Sequence, residues 1–71
     1  MPEHVTTSPK GFVFVSDKKG NKVHMLSQDG AFLTSLGETY GIVEPSGLTV
    51  YKENLLLIGC PGKLHIVEII D

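Results

Sequence analysis

Pro2-Glu3-His4-Val5-Thr6 and Pro45-Ser46-Gly47-Leu48-Thr49 are two versions of one stretch, and the distance between them decides how the whole chain reads. The alignment holds at an offset of 43, without a gap, from Pro2 on Pro45 through Asp17 on Cys60. After a two-residue contraction it resumes, with Lys22-Val23-His24-Met25-Leu26 lying on Lys63-Leu64-His65-Ile66-Val67. A period in the low forties marks a repeat architecture, in which each copy is a small unit that cannot cover its own apolar faces and stacks on its neighbour instead.

Within each copy the pattern is of short strands and turn residues. Val5 to Ser8 reads as a strand closed by Ser8-Pro9-Lys10-Gly11, where proline presets φ and glycine accepts the left-handed position. Phe12-Val13-Phe14-Val15 is apolar at every position, as expected of a strand sandwiched between two other layers. The polar loop Asp17-Lys18-Lys19-Gly20-Asn21 leads to Lys22-Val23-His24-Met25-Leu26, which alternates polar and apolar. Ser27-Gln28-Asp29-Gly30 is the clearest hairpin turn, and Ala31 to Leu36 makes a fourth strand before the Gly37 to Glu44 connection. The second copy repeats the programme with Leu48 to Tyr51, Leu55 to Gly59, and Lys63 to Glu68 or beyond. No window sustains a 3.6-residue period, and Gly and Pro recur too often for helices. Groups of four strands recurring at about forty residues are the blades of a β-propeller. The expected fold is therefore all-β, in antiparallel meander blades: a first blade over 2–44 and an incomplete, three-stranded blade over 45–71.

Composition fits that reading and excludes several classes. At 41% hydrophobic and 20% charged, the 71 residues match ordinary globular usage rather than disorder. A chain this short covers only roughly 60% of the surface its unfolded form exposes, so support from a partner is expected. The single cysteine, Cys60, cannot close an internal bridge, which favours a reducing, cytoplasmic setting over a secreted scaffold; it reads as a small loop residue. A net charge of −2 speaks against a strongly basic nucleic-acid binder, and DNA is not an expected partner. The longest aliphatic runs fall far short of the roughly 20 residues of a membrane-spanning helix, and no membrane partner is expected.

Gly11 to Asp17, Gly20 to Leu26, Asp29 to Gly37 and Pro45 to Leu48 together resemble the NHL repeat, and the likeness runs from Pro2 to about Ile70. The departures are His4 in place of the glycine expected before the first strand, the short Cys60-Pro61-Gly62 loop, and Gly59 where the pattern has a small polar residue before an acid; they are those of a terminal or divergent blade, or of a weaker family member. The resemblance implies a noncatalytic propeller module that recognises a protein or RNA partner as a scaffold, without cofactors. The remaining blades would be supplied in cis or in trans, the latter as a homo-oligomer. Similarity to tripartite-motif proteins would add a ubiquitin-ligase context, whose RING domain has no counterpart in these residues. In NHL proteins the loop between the second and third strands opens on the recognition face. By that resemblance Lys18, Lys19, Asn21 and Lys22 are candidate partner-binding residues, with ammonium groups suited to phosphates. Tyr40, in the connection between copies, is a candidate stacking platform, whereas Tyr51 at a strand end reads as packing.

Other constellations are weaker. His24 and His65 occupy equivalent positions, as the repeat requires, but no ligand-spaced cluster accompanies them, and His65-x-x-Glu68 puts its side chains on opposite faces of a strand. Gly20, Gly30 and Gly37 sit in separate turns and form no phosphate loop. Ser8, Ser16, Ser27, Ser35 and Ser46 lie in turns or at strand ends, none in a nucleophile elbow. The alternative from another class is a fragment of a six-bladed lyase-like or lactonase-like enzyme, whose central channel needs all its blades.

Overall fold

The computed structural model describes residues 2–69; the ends of the second unit and of the family resemblance, at residues 70 and 71, lie outside the described residues. Among the described residues seven strands follow in chain order: β1 (Pro2–Thr7), β2 (Val13–Asp17), β3 (Lys22–Leu26), β4 (Phe32–Leu36), β5 (Gly47–Tyr51), β6 (Leu55–Cys60) and β7 (Lys63–Glu68). They form a four-stranded sheet in the order β1-β2-β3-β4 and a three-stranded sheet in the order β5-β6-β7. Every pairing is antiparallel and joins neighbours in the sequence. The chain is all-β. A single 3-10 turn, Glu38–Tyr40, interrupts the connection between the sheets. No helix among the described residues is long and apolar enough to cross a membrane.

Local chemistry accounts for the turns. In the β3–β4 hairpin the Gly30 N–H donates to the Ser27 carbonyl at 2.9 Å, and Gly30 has φ of 90°. That left-handed conformation costs glycine little and other residues more. Gly11 plays the same part between β1 and β2, at φ 93°. There Ser8 belongs to the turn rather than to the strand expected over Val5 to Ser8. Its N–H donates to the Phe12 carbonyl at 2.9 Å and its hydroxyl accepts the Phe12 N–H at 3.2 Å, which removes both residues from the ladder. β1 instead begins earlier, with Pro2 opposite Asp17 and an irregularity before Val5. Ser16, fully buried, accepts the His4 N–H at 3.0 Å across that irregularity, so the hydroxyl satisfies a donor that the bulge takes out of register.

The core lies between the sheets. Phe14, Val23, Ile42, Leu56 and Ile58 are each no more than 1% exposed, with Met25, Leu36, Leu48, Val50 and Val67 packed around them. β1 and β2 lie against β5, so the sheets meet face to face. Ile42 comes from the connection and closes the space between the layers. The all-apolar run in β2 predicts cover on both faces; Phe14 and Ser16 are buried, but Val13 and Val15 on the other face are only half-buried. Cys60 is the last residue of β6, paired with Lys63 and half-buried, rather than a loop residue.

Because Leu56 sits at the centre of this layer and Leu33 is 47% exposed on β4, the same substitution should act very differently at the two positions. Leu56→Ala is expected to cost about 2–5 kcal/mol, and Leu33→Ala under about 1 kcal/mol. Urea unfolding midpoints of the two variants check this.

Candidate functional site: a lysine-bearing rim

Antiparallel order puts the β2–β3 turn, the connection from Gly37 to Ser46 and the β6–β7 turn at one end of the molecule. The turn over Lys18 to Asn21 is shaped by Asp17, whose Oδ1 accepts the Gly20 N–H at 3.0 Å while its Oδ2 stands 3.8 Å from His24 Nε2. Asn21 takes the left-handed conformation, φ 55°, which its short polar side chain tolerates better than most. Its Oδ1 accepts the Glu44 N–H at 2.8 Å. Glu44 is itself left-handed, φ 48°, immediately before the buried Pro45. One side chain from the first sheet thus holds the strained step by which the chain enters the second. Gly37 is close by: a methyl group there would lie 3.2 Å from the Asn21 carbonyl oxygen and 3.4 Å from Lys22 Cγ.

Lys18, Lys19 and Lys22 are all exposed on this rim. A fourth lysine joins them. Lys63 opens β7 beside the β6–β7 turn, is exposed, and lines a cleft of about 240 Å³ with Gly41, Val43, Glu44, Cys60, Pro61 and His65. Lys63 is the repeat counterpart of Lys22, so the offset between the copies points to it. Four of the six basic residues therefore share one end, and Glu3, at the start of β1, Asp17, and Glu38 and Glu44, in the connection, lie at that end as well. The opposite end carries Lys10 and Lys52 with Asp29, Glu53 and Glu68.

Asn21 is exposed, and its side-chain oxygen is already engaged by the Glu44 N–H. Tyr40 is 54% exposed and lines a different cleft, also about 240 Å³, between the sheets with Phe14, Met25, Leu36, Leu56 and Val67. It is three residues from Gly37 but belongs to an apolar mouth rather than to the lysine cluster. Tyr51 does not pack as expected: it is 55% exposed on the outer side of β5, with Lys52 Nζ 5.5 Å from its ring centroid. The two histidines do not converge. His24 lies on the outer face of the first sheet, edge-on to Phe32 at 6.1 Å between centroids. His65 faces the interior from the second sheet, and its Nε2 is shut off from solvent with no hydrogen-bond partner among the described residues. No three His, Cys, Asp or Glu residues among those described are grouped to hold a metal ion. Chemically, the rim can offer ammonium groups to an anionic partner, and the inter-sheet mouth can take an apolar group.

No protein-family model matches the sequence, and no match was found among curated proteins or among solved structures.

Asn21 supplies both a tolerated backbone conformation and an acceptor, and two substitutions separate these. Asn21→Gly keeps the left-handed step and loses the hydrogen bond, with an expected cost of about 0.5–1.5 kcal/mol. Asn21→Ala should cost roughly 1 kcal/mol more, from forcing a Cβ into that region. Equal unfolding midpoints for the two variants would remove the strain from the account.

Proposed function

We propose that this chain is a noncatalytic recognition module built of NHL-type propeller blades, and that its lysine rim engages the phosphate backbone of an RNA. The carrying observation is the gathering of Lys18, Lys19, Lys22 and Lys63 at one end, in a chain whose net charge is negative. With a formal charge of −2 overall and four acidic residues at the same end, attraction for a polyanion depends on the local grouping of these exposed lysines rather than on net charge. The two consecutive antiparallel meanders, at a spacing in the low forties, support the blade reading; the NHL assignment itself rests on the residue pattern alone. A cytoplasmic setting belongs to the same proposal and rests on the lone, half-buried Cys60.

A protein partner is the second reading, and it draws on Tyr40 and the apolar mouth beside it rather than on the lysines. The two are separable. Combined Lys18→Ala, Lys19→Ala, Lys22→Ala and Lys63→Ala should weaken binding of a single-stranded RNA and flatten its salt dependence, by about 0.7 in log–log slope for each phosphate that is no longer neutralised. Fluorescence anisotropy across a salt series measures both. Unchanged affinity and slope would defeat the RNA reading, while loss of a protein partner on Tyr40→Ala alone would favour the other.

A further inference from the structure

The repeat identifies which sheet faces are meant to meet. In the interior, the face of the first sheet that carries Phe14, Val23 and Met25 lies on the face of the second that carries Leu48, Leu56 and Ile58. The repeat offset carries Phe14, Val23 and Met25 onto Leu57, Leu64 and Ile66. Strand alternation and register put those three on the outer side of the second sheet, where Leu64 is 58% and Ile66 62% exposed. The converse also holds. Leu48, Leu56 and Ile58 are the counterparts of Val5, Val13 and Val15, which share the outer side of the first sheet, with Val5 63% exposed.

Each molecule therefore buries one matched pair of faces and leaves the two halves of a second such pair on its opposite outer sides. Both outer faces are largely apolar, with His24 and Ser35 on the first and Thr49 on the second, and Phe32 and Tyr51, at 62% and 55% exposure, enlarge them. Within residues 2–69 the two halves point away from each other, so neither can cover the other.

We propose that the occupant of each outer face is a second copy of this chain, docked head to tail, with the outer side of its first sheet on the outer side of the second sheet of the copy before it. The contact repeats the packing already present inside the molecule, with β5 of one copy on β1 of the next as β1 lies on β5 within the chain. Such a contact is heterologous: it joins unlike surfaces, repeats one rotation at every step, and ends either in a closed ring or in an open stack. Each added copy also brings its Lys18, Lys19, Lys22 and Lys63 to the same side as those of its neighbour. The inference depends on the apolar faces and is independent of whether the lysine rim binds RNA.

Sedimentation velocity of the full chain over a concentration series tests it, since mass should rise past that of a dimer. Ile66→Glu and Val5→Glu each spoil one face, and each alone should give a folded monomer because both positions are already largely open to water in the single chain. An equimolar mixture of the two variants should give a one-to-one dimer and nothing larger, since each retains the face that the other lacks. A monomeric wild-type chain, a single variant that still dimerises, or a mixture that stays monomeric would each overturn the proposal. Should either variant lose its circular-dichroism spectrum, cross-linking decides. In a Cys60→Ser background, Thr49→Cys chains mixed with Val5→Cys chains should join through a short thiol-reactive linker. Links only between like chains, or none, would refute the head-to-tail contact.

Discussion

Phe14 and Val23 from the first sheet, Leu56 and Ile58 from the second, and Ile42 from the connection form one apolar layer, and the rest of the molecule depends on it. Each sheet alone would leave both faces in water, and a meander of three or four short strands is too small to be stable without a packed face. Contact between the sheets removes one face of each from solvent, and Ile42 fills the space that the strands leave open. The hydrogen-bond ladders fix spacing and direction, but they form with water as competitor, so the net stabilisation comes mainly from burial of these side chains.

That layer also positions the rim. Once the sheets are pressed together, the connection must cross from the end of β4 to the start of β5 over a short path, and it does so through the left-handed Glu44 ahead of buried Pro45. Asn21 secures the crossing from the neighbouring turn. Lys18, Lys19 and Lys22 are thereby held beside the connection, and Lys63 lies across it, so the electrostatics of this end follow from packing in the core. The polar groups near the layer are matched where the sheet is irregular, as at Ser16, and His65 Nε2 has no partner among the described residues.

Much of the fold is legible in the residues. Lys22–Leu26 and Lys63–Glu68 occur with the expected bounds, because alternating patterns flanked by turn residues are local signals. The end of β1 differs at Ser8, whose hydroxyl and backbone both serve a turn, a competition that propensity alone does not resolve. Ile42 gives no sign of its importance in the sequence, since an apolar residue in a connection acquires a role only when two distant segments close over it. Lys63 is recoverable from its repeat partner Lys22, whereas the capture of Glu44 by Asn21, 23 positions away, is not.

The sequence by itself determined the strand order, the turns and the duplication, since these follow from alternation, from glycine and proline, and from a spacing that survives substitution. Only the tertiary structure decided which face of each sheet is inside, which of two equivalent histidines is enclosed, and which lysines stand together. Strand alternation separates two faces without saying which one meets a neighbour, and that choice is made by the docking of the sheets.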